Sequence, residues 1–143
     1  MRSALFRVVR PRRWALVVGL ALAVGAQPVA PTQPQVARRF LLDILGGNYP
    51  AAYRRLAPEV RAAVPLPAFT AAARPLWQQG RARGSAIELY QIGAWLGDAD
   101  RPNEWFCRFS FATDSARRPP VLLEVTFRDT TARVVLGFGL RRR

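Results

Sequence analysis

Glu104-Trp105-Phe106-Cys107-Arg108-Phe109-Ser110-Phe111-Ala112-Thr113 alternates as a half-buried β-strand does. Trp105, Cys107, Phe109 and Phe111 fall on one face, and Arg108, Ser110 and Ala112 on the other. Strand-like runs flank it on both sides. Ala86 to Leu96 comes before, with Gly93 as the expected place of a bend or bulge, and Gly97 to Asn103 (GDADRPN) is a loop between the two. After a second loop, Ser115 to Pro120, come Val121 to Arg128 and Ala132 to Arg141, joined tightly through Asp129-Thr130-Thr131. In the last run Val134, Leu136, Phe138 and Leu140 alternate with Arg133, Val135, Gly137, Gly139 and Arg141. Four strands in succession predict an antiparallel meander.

Upstream of Ser85 the apolar period changes from two to three and four. Val36, Phe40, Leu41, Ile44 and Leu45 mark one face of a helix, which Gly46-Gly47-Asn48 ends. A second helix runs from Pro50 to Leu56, proline being well suited to a first turn; Pro58 interrupts it and Glu59 to Val64 reads as a turn. A third begins near Pro67, passes through Phe69, Ala73, Leu76 and Trp77, and ends before Gly80, with Pro75 expected to kink it. Helices first and strands second predict a segregated α+β domain, its N-terminal helices packed on a curved four-stranded antiparallel sheet.

The composition closes several routes to function. The chain has 143 residues, half of them hydrophobic and 22 % charged, which suits one ordered domain. It carries 22 basic residues, all arginine, against 9 acids, for a formal +13. It has no histidine and one cysteine, Cys107. Histidine acid–base catalysis, His/Cys zinc sites and intramolecular disulfides are therefore excluded, and no metal or cofactor is called for. Without a histidine to generate its thiolate, Cys107 reads as a small apolar strand residue.

Much of the charge belongs to an address. Arg2, Arg7, Arg10, Arg12 and Arg13 precede the apolar run Trp14 to Ala26, and Val24 and Ala26 stand where a signal peptidase takes small residues. The run has thirteen residues, whereas a spanning helix needs about 20, so a cleaved signal is favoured over a retained anchor. Arg12-Arg13 alone does not make a twin-arginine signal, and the general export route is preferred. The expected organisation is a signal peptide over 1–26, a proline-rich linker over 27–34 and a single domain over 35–143, exported to the periplasm or beyond. Losing five arginines and no acid leaves the mature chain at +8. The remaining arginines are scattered over every element, so nucleic acid is not an expected partner.

The phrase Phe40-Leu41-Leu42-Asp43-Ile44-Leu45-Gly46-Gly47-Asn48-Tyr49-Pro50-Ala51-Ala52-Tyr53, with Trp77-Gln78-Gln79-Gly80 before the strands, resembles small secreted bacterial members of the nuclear-transport-factor-2-like superfamily. The resemblance implies a cystatin-like cone, with a pocket between the helices and the concave sheet. Members use that pocket for ligand binding, catalysis or partner contact. It implies Tyr53, Trp77, Tyr90, Trp105 and Phe109 as candidate ligand-binding residues, with Trp95 and Phe138 as further aromatics that line the cone or fill it. The expected function is a non-enzymatic exported domain that binds a small apolar or anionic ligand, or an envelope partner. The alternative is a cone-fold enzyme using Asp/Tyr chemistry, with Asp43 as base and Tyr53 as donor; no catalytic residue is assigned. The oligomeric state, a homodimer included, is left open.

Overall fold

The computed structural model describes residues 25–143. Except for Gly25 and Ala26, the expected signal peptide lies outside the described residues. Among the described residues four helices precede four strands: α1 (Gln33–Leu45), α2 (Tyr49–Arg54), α3 (Pro58–Ala63), α4 (Leu66–Arg83), β1 (Ile87–Trp95), β2 (Glu104–Phe111), β3 (Val121–Phe127) and β4 (Gly137–Arg142). The strands form one antiparallel sheet in the order β1-β2-β3-β4. Among the described residues no helix is long and apolar enough to cross a membrane.

Local chemistry sets the helix ends. Thr32 caps α1 in a reciprocal box: its hydroxyl accepts from the Gln35 amide, and the Gln35 side chain accepts from the Thr32 amide at 2.9 Å. The helix thus starts at Gln33, and the extended linker ends two residues earlier than expected. Gly47, at φ +75°, turns the chain out of α1, and Asn48 caps α2 through Ala51.

Of two expected breaks, the one at Pro58 is present between α2 and α3 and the one at Gly80 is absent. Pro58 does not simply interrupt the helical half; it occupies the first turn of α3, where its missing N–H costs nothing, so Glu59 to Val64 is mostly helix. Gly80 does not end α4, which runs on to Arg83 and is capped at Gly84. Its role is close packing, since a Cβ there would lie 2.8 Å from Leu45 Cδ2 on α1.

Two details of the sheet also depart from the alternation. The irregularity in β1 falls between Leu89 and Gln91, not at Gly93. β4 begins at Gly137 rather than near Ala132. Ahead of it, Val135 donates its amide to the Arg55 carbonyl and accepts from the Ala57 amide. That parallel bridge turns Val135 inward to full burial and leaves Val134 44 % exposed.

The main core lies between the helices and one face of the sheet. Phe40 and Ile44 of α1 and Phe69 of α4 meet Phe109 and Phe111 of β2, Leu123, Val125 and Phe127 of β3, and Phe138 of β4. The Phe40, Phe69 and Phe138 rings stack on one another at centroid distances of 5.3 to 6.1 Å. The expected alternation in β2 holds, with Cys107, Phe109 and Phe111 buried in this core. Among the described residues the opposite face carries no helix.

Candidate functional site

The open face of the sheet is built from alternate residues of each strand: Gln91, Gly93 and Trp95 of β1; Phe106, Arg108 and Ser110 of β2; Leu122, Glu124 and Thr126 of β3; Gly137, Gly139 and Arg141 of β4. The register places Gln91, Arg108, Glu124 and Gly139 in one cross-strand row. Glu124 has a side chain only 7 % exposed and is held from both sides. Arg108 Nε donates to its Oε2 at 2.7 Å, and Arg141 Nη2 donates to its Oε1 at 3.0 Å. Arg108 also donates to Gln91 Oε1 at 2.9 Å.

Burial alone would raise the Glu124 carboxyl, but hydrogen bonds and charge from Arg141 and Arg108 outweigh it and hold the group below its ordinary value. Glu124 is therefore a fixed carboxylate. It is not a candidate general acid.

The guanidinium groups also act as lids over carbon. Arg108 lies 4.2 Å above the Phe106 ring and 5.2 Å from Trp95, while Arg141 reaches the same indole at 5.4 Å. Gly93 makes this possible, because a Cβ there would come within 2.5 Å of Phe106 Cζ. Further along the face Arg143 lies over Tyr90 and donates to its hydroxyl at 3.1 Å. β1 and β4 are the two edges of the sheet, so these contacts join its edges across the open face.

Beyond Trp95 this face opens into a cavity of about 690 Å³, lined by Trp95, Leu96, Asp98, Arg101, Pro102, Glu104, Glu124, Thr126 and Arg141 among others. Its rim is a pinned loop. Asp98 accepts from the amides of Asp100 and Arg101, and Asn103 accepts from the Gly97 amide at 2.8 Å. Among the described residues the Arg101 guanidinium, the Glu104 carboxylate and the Thr126 hydroxyl have no side-chain hydrogen-bond partner, which leaves one cation, one anion and one hydroxyl toward the space.

Two smaller cavities lie elsewhere. One of about 270 Å³ is an apolar groove bounded by Leu56, Val60, Val64, Phe69, Ala72 and residues 136–138. The other, of about 250 Å³, lies by Glu59, Arg128 and Asp129. Among the described residues no three His, Cys, Asp or Glu side chains are grouped to hold a metal ion.

None of the five sequence-derived candidates lines any of these three cavities. Phe109 is fully buried in the main core. Tyr53 packs on Phe69 and its hydroxyl serves the Val64 and Arg61 carbonyls at 2.7 and 3.0 Å. Trp77 is half-buried on α4 beside Gly47, with Arg81 over its ring, and Trp105 lies partly buried at the core margin. Only Tyr90 is on the open face. Asp43 does not meet Tyr53 but pairs with Arg55 at 2.8 Å. The Cys107 thiol is buried, which pushes it up to about 11 and keeps it unreactive at neutral pH.

Sequence reasoning did not single out Arg101, Glu104, Glu124, Thr126 and Arg141. The visible signal was alternation, which set Arg108 opposite Phe109 in β2 and Arg141 opposite Leu140 in β4. No family model, no curated protein and no solved structure matches the chain.

Proposed function

We propose that this is an exported, non-enzymatic binding domain whose ligand site is the cavity on the open face of the sheet. The observation that carries the reading is that cavity of about 690 Å³, within the range of about 300–1,000 Å³ typical of small-molecule sites. It combines an aromatic wall with unpaired polar groups, which is how such sites orient a ligand. On the helix-covered face, where the cone resemblance puts a pocket, Phe40, Phe69 and Phe138 pack on one another and leave the smaller apolar groove of about 270 Å³ beside Phe69 and Phe138. The order of helices then sheet accords with a nuclear-transport-factor-2-like cone, and we read the chain as a filled version of it. Binding without catalysis is supported by Glu124, an ion-paired carboxylate where an enzyme of the Asp/Tyr kind would need a raised one.

Amide hydrogen exchange of the purified protein, screened against small organic acids, amino acids and saccharides, tests the location. A bound fragment is expected to slow exchange from Trp95 to Asn103 and around Glu124 to Thr126. Slowing confined to Leu56 to Ala72, at the apolar groove, would overturn it. Export rests on the N-terminal sequence alone. N-terminal sequencing of the secreted protein should begin at Gln27, and a chain that retains Met1 would refute cleavage.

A further inference from the structure

We infer that the open-face cavity takes a neutral saccharide of disaccharide size or larger, an inference that rests on the reading of this cavity as the binding site. The chain as a whole is strongly basic, and charge alone would nominate an anion. The lining points elsewhere. Asp98, Glu104 and Glu124 bring three carboxylates to the space, against the guanidinium groups of Arg101 and Arg141 with Arg108 behind them. An anion entering there meets three negative charges, and a cation meets three positive ones. Neither sign is favoured.

The groups still free to bond are the Arg101 guanidinium, the Glu104 carboxylate and the Thr126 hydroxyl. A sugar hydroxyl both donates and accepts, so one ligand type can satisfy all three at once. Bonds to the two charged groups are of the stronger, charge-assisted kind. A zwitterion presents two charges, whereas this lining offers a hydroxyl as well as a cation and an anion, which suits a ligand rich in hydroxyls.

Trp95 supplies the remaining element. Trp95 is 44 % exposed and lines the cavity, with the Arg108 and Arg141 guanidinium groups over its ring and Phe106 tilted against it. The electron-rich face of an indole attracts the weakly positive C–H face of a pyranose ring. The cavity volume leaves room for more than one ring. The loop that forms the rim is fixed by its own hydrogen bonds, so little ordering is needed on binding.

Titration calorimetry and tryptophan fluorescence on the purified protein test this with neutral trisaccharides (maltotriose, cellotriose, tri-N-acetylchitotriose), two anions (citrate, benzoate) and the zwitterion glycyl-tyrosine. At least one trisaccharide is expected to saturate. Its affinity should fall about tenfold or more in Trp95→Ala and be partly restored in Trp95→Phe, because the ring face carries the stacking. Trp77→Phe on α4 should leave it unchanged. Thermal melting of each variant separates lost binding from lost fold, and Trp95→Phe keeps the test alive should Trp95→Ala not fold. Saturation by citrate, benzoate or glycyl-tyrosine that depends on Trp95, with no saccharide binding, overturns the saccharide and leaves the cavity as the site. Saccharide binding that survives both Trp95 variants overturns the location. No saturation by any probe at millimolar concentration overturns both.

Discussion

The two faces of this sheet are both buried, but by different materials. On the helix side Phe109, Phe111, Leu123, Val125 and Phe127 are covered by the hydrocarbon of α1 and α4. On the open side Phe106 and Leu122 are also buried, though they stand outside that core. Over Phe106 the cover is the Arg108 guanidinium plane and the Trp95 ring. The difference shows what arginine does in a lysine-free chain. A guanidinium can lie flat on a ring and bond a carboxylate with its edge in one posture, which an ammonium cannot do. The open face is thereby closed over β2 and left hollow beyond Trp95.

The helix side should be the more costly to damage. Phe109→Ala removes a ring from a fully buried position and is expected to destabilise the fold by about 3–5 kcal/mol in urea denaturation. A loss under 1 kcal/mol would mean that the carbon core is not where stability resides.

Next in size is the charged cluster. Glu124→Ala strands Arg108, whose side chain is only 15 % exposed, while the half-exposed Arg141 can turn to water. The expected cost is about 2–3 kcal/mol, at or below the low end of losses at buried pairs because one partner is already solvated. The cluster also predicts an acid limb. The folded-state value of Glu124 lies below the ordinary 4.5, so the linked stability is complete above that range and is lost as pH falls through the folded value. The melting temperature should fall more steeply with acid in the native protein than in Glu124→Gln. Equal slopes would show that the two arginines do not hold the carboxylate.

The contrast between the faces also explains what could be read in advance. The carbon face announces itself locally: Trp105, Cys107, Phe109 and Phe111 repeat at period two, and Phe40, Leu41 and Ile44 at helical spacing, with no knowledge of their partners. The charged face exists only through register. Arg108 meets Glu124 sixteen residues away and Arg141 seventeen beyond that, and alternation in each strand leaves the offset between strands undetermined. The extra residue at Tyr90 moves the β1 pairing by one, which helps bring Trp95 to the open face. Alternation sets Val134 with the apolar residues and Val135 against them, and the bridge to Arg55 and Ala57 reverses the two. Pro58 and Gly80 each have a second use, Pro58 opening α3 where α2 has ended and Gly80 serving as a close-packing site inside α4.

Gly93→Ala probes the boundary between the two modes of burial. The added methyl would strike the Phe106 ring, whose displacement lifts Arg108 with it. Overpacking of this kind is expected to cost about 1–2 kcal/mol, offset in part by alanine's smaller chain entropy. The cost should show in chemical denaturation, together with a change in the near-ultraviolet dichroism of Trp95. An unchanged spectrum would mean that the ring and its lid are not packed as a unit.

The smallest expected effect is the most discriminating. Arg108→Lys keeps the charge beside Glu124 but removes the plane over Phe106 and the bond to Gln91. If the open face is covered by electrostatics alone, the substitution should be neutral. If the guanidinium plane is itself the cover, lysine should lose about 1 kcal/mol and expose Phe106 to solvent. Amide exchange at Phe106 and Cys107 separates the outcomes, because β2 opens more often when its cover is lost. A double change with Phe106→Ala isolates the stack: with no ring to cover, the penalty of the lysine should shrink toward the single bond to Gln91. A penalty that persisted undiminished would place the arginine's contribution in its ion pair, and the open face would then be an electrostatic surface rather than a second core.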